Sequence, residues 1–381
     1  MDVVVALFVS IIIILALIKF EISLAVLTGA IFLALSTNPE SIEIALTDIF
    51  TWKLVAIVIL AHSIGYAMEI TGMLDKITES VFSISGKFSV AIIPMLIGLL
   101  PMPGGALVSA VMIKDLVQKL KIGAEKAVFI NYWFRHVWVT FWPLYPNIVI
   151  AMGILSANYL QIASSTFPIL ISMIAAGAVF MRIKSNAVKS KANFENLKYM
   201  YPVLLIVIFA VLTGDLLAAL LISFFSIVLA NKAFSKVGHM LGKAFDWKII
   251  VLVIGVMIYK SAIQVSGASQ SFYSEVLSFS NPYVASFALT FLIGFATGIE
   301  LSYTSVALPL LTSFTGVGEI IRSHVLLVFL GGIMGVILSP MHLCLVLTAQ
   351  YFKADLYRVY RYLIPASLIS MLISLSFLTV L

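Results

Sequence analysis

Apolar runs of near-span length follow one another along this chain, separated by short polar gaps. Val3 to Ile18 is the first. Lys19-Phe20-Glu21 turns it into the second, Ile22 to Leu35. An acidic loop with Glu40, Glu43 and Asp48 leads to the third, Trp52 to Ile70. In Met73 to Ser85 the apolar positions Met73, Leu74, Ile77, Val81 and Phe82 share one helical face, which predicts a helix lying on the membrane surface. Tyr159 to Arg182 is a further clean span.

Two apolar runs are broken. Phe88 to Asp115 contains LIGLLPMPGGALVSA, interrupted by Pro101, Pro103, Gly104 and Gly105, and reads as a hairpin entering and leaving on one side. Lys126 to Leu155 exceeds the roughly 20 residues a span needs. It contains Pro143 and Pro146, which predicts a discontinuous span. Broken backbone inside a membrane is tolerated only where protein covers it or it lines a polar cavity.

The second half repeats the first. FTWKLVAIVILAHSIGYAMEITG from Phe50 matches FDWKIIVLVIGVMIYKSAIQVSG from Phe245, a shift of 245 − 50 = 195. LIGFATGIELSYTS matches the hairpin at 292 − 96 = 196, and LSPMHLCLVLT matches FWPLYPNIVIA with Pro340 on Pro143, 340 − 143 = 197. The predicted fold is an all-α polytopic membrane protein of two repeats. Residues 1–182 form the first, with a hairpin over 88–115 and a broken helix over 126–155. Residues 183–198 are a basic linker, and 199–381 form the second repeat, with a hairpin over 281–316 and a broken helix over 322–351. Five spans and one re-entrant hairpin per repeat make the halves inverted, and paired breaks mark a transporter's binding site.

Composition agrees: 62% of the 381 residues are hydrophobic and 10% charged, far from soluble averages. The net charge of +6 sits in short loops and is no nucleic-acid signal. With the linker cytoplasmic, Lys19 and the Lys114–Lys126, Lys232–Lys243 and Lys353–Arg361 loops fall inside. The 38–49 loop, Asp215, the 267–281 loop and both termini then fall outside. Met1 to Ile18 is expected to be a span rather than a cleaved leader. The lone Cys344 excludes an internal disulfide and a cysteine-based metal cluster.

At the first hairpin tip, Pro103, Gly104 and Gly105 let backbone approach a ligand closely, and helix N-termini there favour an anion. Ser109 and its repeat mate Ser305 add hydroxyls, and Ser302 and Thr304 flank the second tip. The broken spans supply Trp142, Pro143, Tyr145 and Asn147 on one side and Ser339, Pro340, Met341 and His342 on the other, where unwound carbonyls suit Na⁺. Glu300 could carry a coupling proton, hold Na⁺ or pair with Arg135. Arg135 could clamp an anionic substrate or snorkel to headgroups. Asn131 is a polar group in an apolar stretch, a substrate contact or helix glue. The expected substrate set is therefore Pro103, Gly104, Gly105, Ser109, Asn131, Arg135, Tyr145, Asn147, Glu300, Ser302, Thr304, Ser305, Ser339 and His342. The expected ion-coupling set is Glu300, Ser109, Ser305, Asn147 and His342. His62 and His136 read as hydrogen-bonded structural residues, and Trp52 and Trp247 with the lysines after them as interface anchors.

MPGGALVSA, NYWFRHVW, FWPLYP and LSPMHLC, with this order of spans and hairpins, resemble an uncharacterised membrane family, found mainly in archaea and thermophilic bacteria, of the ion transporter superfamily. That group includes gluconate permeases and citrate and dicarboxylate sodium symporters. In the di- and tricarboxylate members, Ser-Asn-Thr triplets at the tips hold sodium and carboxylate. Here Met102-Pro103-Gly104-Gly105 and Ser302-Tyr303-Thr304-Ser305 stand instead. The resemblance implies a homodimer in which the hairpins, the broken spans and the last span of each half move against a scaffold of the first three spans.

The leading function is thus an ion-coupled carrier of a small anionic metabolite in the plasma membrane. A cation/proton antiporter using Glu300 and His342 is the alternative, and a passive channel is a further option. No H-E-x-x-H, G-x-S-x-G or G-x-x-x-x-G-K-[ST] motif marks an enzyme or ATP-driven pump. No cofactor is expected, and Na⁺ is a candidate coupling ion rather than an assigned metal.

Overall fold

A computed structural model describes residues 2–100, 105–181 and 192–381, apart from the side chains at 276–279. The described residues form helices and no strand. The first half comprises α1 (Val3–Leu17), α2 (Ile22–Thr37), α3 (Glu40–Thr47), α4 (Ile49–Ile70), α5 (Met73–Ser85), α6 (Ser89–Gly98), α7 (Gly105–Lys119), α8 (Ala124–Arg135), α9 (Pro146–Leu155) and α10 (Tyr159–Val179). After a turn over Glu195–Met200 come α11 (Tyr201–Thr213), α12 (Leu216–Ala230), α13 (Val237–Ala244), α14 (Trp247–Ser266), α15 (Ala268–Phe279) and α16 (Pro282–Thr297). Three short pieces, α17 (Glu300–Ser302), α18 (Leu308–Leu310) and α19 (Thr312–Thr315), follow, with a π-helical turn at Tyr303–Ala307. The chain ends with α20 (Arg322–Leu338), α21 (Leu343–Phe352) and α22 (Leu356–Leu375). The order recurs: α11 to α16 follow α1 to α6, α17 to α19 stand where α7 does, and α20 to α22 repeat α8 to α10. Among the described residues six helical stretches are long and apolar enough to cross a membrane, Ile49–Ile70 and Trp247–Ser266 among them.

Several carboxylates of this apolar chain serve helix starts. Asp2, Glu21, Asp48, Asp215, Asp246 and Asp355 each accept a backbone N–H from the first turn of the helix that follows, satisfying donors that a helix start leaves open. Three stretches expected as loops are helical. The 38–49 segment forms α3, begun where the Asn38 side chain accepts the Glu40 N–H, with Glu40 and Glu43 on its positive end. The 232–243 and 267–281 segments carry α13 and α15. The apolar face of α5 is not left to lipid: Met73, Ile77 and Val81 are buried, and α5 packs on the Glu195–Met200 turn and on α6. Protein contacts take the face that the sequence assigns to a membrane surface.

The halves interleave. The helix α14 packs on α2 and α3, and its counterpart α4 packs on α12 and α13. Lys248 of α14 meets Glu21 at 2.7 Å, and Lys53 of α4 meets Asp215 at 3.1 Å. The Lys243 ammonium, just ahead of α14, lies 5.7 Å over the Tyr66 ring near the end of α4. Ser172 of α10 bonds Ser370 and Ser374 of α22 at 2.8 and 2.7 Å. Close contact between α16 and α20 depends on small residues: a side chain at Gly331 or Gly335 would meet the Phe287 or Phe291 carbonyl, and one at Gly332 would meet the Tyr303 ring.

Candidate functional site

Three interruptions of helix meet at one place. The first separates α8 from α9. Tyr145, preceding Pro146, is extended (φ −76°, ψ 126°), and Pro146 opens α9 where its missing donor costs nothing. The second separates α20 from α21, where Ser339 precedes Pro340 and is likewise extended (φ −71°, ψ 125°). The third ends α16 at Gly298, left-handed at φ +65°, before α17 restarts at Glu300. A side chain at residue 298 would collide with the His342 backbone, so the hairpin turn fits against the start of α21 only as glycine.

His136 follows α8 directly and His342 precedes α21. The His136 Nδ1 lies 2.6 Å from the Tyr132 carbonyl and the His342 Nδ1 lies 2.5 Å from the Gly298 carbonyl. A carbonyl only accepts, so both Nδ1 atoms carry the hydrogen, and each neutral ring keeps its lone pair on Nε2. The two Nε2 atoms face each other at 3.1 Å. Facing lone pairs repel, so the arrangement calls for a proton or another cation between them. Glu300 Oε1 supplies the negative charge, 3.8 Å from His136 Nε2 and 4.0 Å from His342 Nε2. The imidazoles are 3% and 5% exposed while Glu300 keeps 24%, so the cluster is reached from the carboxylate side. The Tyr132 ring stands 4.6 and 5.4 Å from the two imidazoles, and its hydroxyl donates to the Ile337 carbonyl at 3.2 Å. Ring nitrogens of both histidines and the Cys344 sulfur lie within 4.8 Å of one another.

A polar thread runs beside this cluster. Asn131 of α8 donates to the Ala106 carbonyl of α7 at 2.9 Å and to Thr348 Oγ1 of α21 at 3.3 Å. Ser109 also donates to Ala106, at 3.2 Å. Tyr145 donates to the Gly98 carbonyl at 2.6 Å. Asn147 donates to the Val139 carbonyl at 3.0 Å and to Tyr303 Oη at 3.4 Å, tying α9 to the π turn. The buried atoms Asn131 Oδ1, Thr140 Oγ1 and Trp142 Nε1 have no hydrogen-bond partner among the described residues, an uncommon condition that a polar guest would relieve.

Of the sequence-predicted residues, Glu300 and His342 are brought together. Asn147 reaches the second half through Tyr303, and Asn131 through Thr348. Gly105 and Arg135 are buried, and the Arg135 carbonyl packs on Gly98. Thr304 and Ser305 turn inward to bond the Leu301 carbonyl at 3.1 and 2.6 Å, Ser302 pairs with Thr297 at 2.5 Å, and Ser339 accepts the Met341 N–H at 3.2 Å. Each of these hydroxyls has a local partner within five residues of it in the chain. Pro103 and Gly104 lie outside the described residues. The histidines within 4.0 Å of Glu300 are His136 and His342, the former read from sequence as structural. Tyr132, Tyr303, Cys344 and Thr348 join the site without having been expected. No sequence signal singles out His136: the first proline of its break, Pro143, lies 143 − 136 = 7 residues further on.

The architecture is similar to the crystal structure of the Alcanivorax borkumensis YdaH transporter, described as having an unusual topology. The likeness has a TM-score of 0.61 at 13% sequence identity and covers 86% of this chain and 85% of that one. At that identity the likeness concerns the fold alone, an all-helical multi-pass architecture. No curated protein matches the chain. A family model does, over residues 1–380, so the chain belongs to the family described as "Protein of unknown function (DUF401)".

Proposed function

We infer that this chain is a secondary active transporter, an ion-coupled (Na⁺ or H⁺) carrier of a small anionic metabolite such as an organic acid. The observation that carries the reading is the meeting of two interrupted spans and a hairpin turn at His136, His342 and Glu300. Interrupted helices from two repeats meeting at one buried polar junction are how such carriers build a site. The unmet polar atoms of Asn131, Thr140 and Trp142 suit a polar solute, and Arg135, buried at the end of α8, suits an anion. The contact of Lys243 with Tyr66 sets the start of α14 beside the end of α4, which supports repeats of opposite orientation. That in turn supports alternating access of elevator type in a plasma-membrane homodimer, with residues 183–198 cytoplasmic and both termini outside. The fold of the YdaH transporter supports transport rather than enzymatic catalysis, and the kinship to gluconate permeases and citrate symporters remains part of this proposal.

The facing imidazoles favour a second reading, a cation/proton antiporter on the same scaffold with Glu300 and His342 exchanging the ions. Reconstituted vesicles separate the two. Under an imposed Na⁺ or H⁺ gradient, the carrier accumulates an organic anion and Glu300→Gln abolishes accumulation. The antiporter changes internal pH on addition of Na⁺ with no organic solute present. Absence of both activities, or a Glu300→Gln protein indistinguishable from the parent, sinks the coupled-transport reading.

A further inference from the structure

We propose that His136, His342 and Cys344 form a binding site for one late first-row dication of the Zn²⁺ class, with Glu300 as the fourth ligand. Tetrahedral Zn²⁺ with bonds of about 2.0–2.1 Å to nitrogen holds two such ligands about 3.3 Å apart. The two Nε2 atoms already stand 3.1 Å apart, lone pairs converging. Each ring is fixed by an Nδ1–H donated to a backbone carbonyl, Tyr132 for one and Gly298 for the other, the support that orients metal-bound histidine. The Cys344 sulfur lies within 4.8 Å of ring nitrogens of both. Glu300 approaches from the partly open side at 3.8 and 4.0 Å, close enough to swing in as ligand or to admit the ion.

Charge and softness select the guest. A thiolate and a carboxylate cancel a dication, so the loaded site adds no net charge to a buried place. Two imidazoles and a thiolate suit Zn²⁺ or Co²⁺, whereas Na⁺, Mg²⁺ and Ca²⁺ prefer all-oxygen sets. On binding, the Cys344 thiol gives up its proton to solvent as sulfur bonds the metal, and any proton held between the imidazoles leaves with it. Cys344 on its own can build no cysteine cluster. The fold supplies the missing ligands from a span far away in the chain, His136 lying 206 residues from His342. The ion would join α8 to α21 across the two halves.

The test uses the full chain in detergent, free of any affinity tag, titrated with Co²⁺ and then displaced with Zn²⁺. One Co²⁺ per chain is expected, with tetrahedral visible bands and a thiolate-to-cobalt charge-transfer band. Cys344→Ser should lose the charge-transfer band, and Cys344→Ser, His136→Gln and His342→Gln should each weaken binding at least about tenfold. His239→Ala, at an exposed helix position, should bind as the parent does. Size-exclusion profile and helical circular dichroism identify any variant that has not folded, and Cys344→Ser, which changes only sulfur to oxygen, then decides. Octahedral spectra, binding below one ion per chain, or a charge-transfer band surviving in Cys344→Ser would overturn the proposal. None of these outcomes bears on vesicle transport.

Discussion

The Glu21 carboxylate stands 2.7 Å from the Lys248 ammonium and joins the start of α2 to the start of α14. Asp215 repeats the contact with Lys53 at 3.1 Å, and both acids also cap the helices they precede. The hydrogen bond from Lys248 holds the Glu21 carboxyl below its ordinary range, outweighing the opposing effect of burial, with the Ser23 N–H adding to it. Because Lys248 is half exposed, Glu21→Gln should cost under about 1 kcal/mol. The folded-state value is lowered, so this stabilisation is complete above the unfolded carboxylate range and disappears as pH falls through the folded value. Thermal unfolding of parent and variant in detergent should therefore converge on acidification. A gap that widens toward acid would contradict the assignment.

Gly332 faces the Tyr303 ring with no room for a side chain. Gly332→Leu should push α20 off the π turn and destabilise the protein by about 1–3 kcal/mol or more. Gly242, on α13 with open space around it, is the control: Gly242→Ala should hold or slightly raise the unfolding temperature.

Lys260 of α14 is buried and donates to the Gly153 carbonyl at 2.7 Å and to Ser156 Oγ at 2.9 Å. It closes the last turn of α9 from another helix, a cation at a helix's negative end. Lys260→Met keeps the apolar stem and strands those acceptors, at a cost of about 1–3 kcal/mol. Amide exchange should accelerate around Met152 to Ser156 more than in α14. Uniform acceleration would indicate general loosening instead.

His136 and His342 should behave as one unit. In a double-mutant cycle to alanine, read by unfolding, a coupling of about 0.5–3 kcal/mol is expected for groups in contact. Additivity within about 0.5 kcal/mol would mean that the rings do not sense each other.

The interruptions were legible because Pro143, Pro146 and Pro340 act on the backbone locally. Glu300 and His342 stood out as ionisable groups in apolar runs. His136 carries the same chemistry but gains its meaning from a partner in the other half, and no local pattern announces that. The helices α3 and α13 were hidden by their charged residues: each is eight residues long, and their buried faces are slim, Ser41 and Ala45 in one, Met240 and Ala244 in the other. In α13 Val237, Met240, Leu241 and Ala244 do share one helical face, but two turns are too short a stretch for that spacing to decide against a loop. Hydroxyls at Ser302, Thr304 and Ser305 stand out in sequence as ligand groups, and in the fold they also bond Thr297 and the Leu301 carbonyl, contacts that no sequence pattern shows.

Because α4 is covered by α12 and α2 by α14, the first half emerges from the ribosome with its docking faces empty. Lys53 waits for its counter-ion until Asp215 has been synthesised. Biogenesis of this protein is therefore an assembly of two halves, and a polypeptide halted after Val179 would leave those faces to lipid or to a second such half.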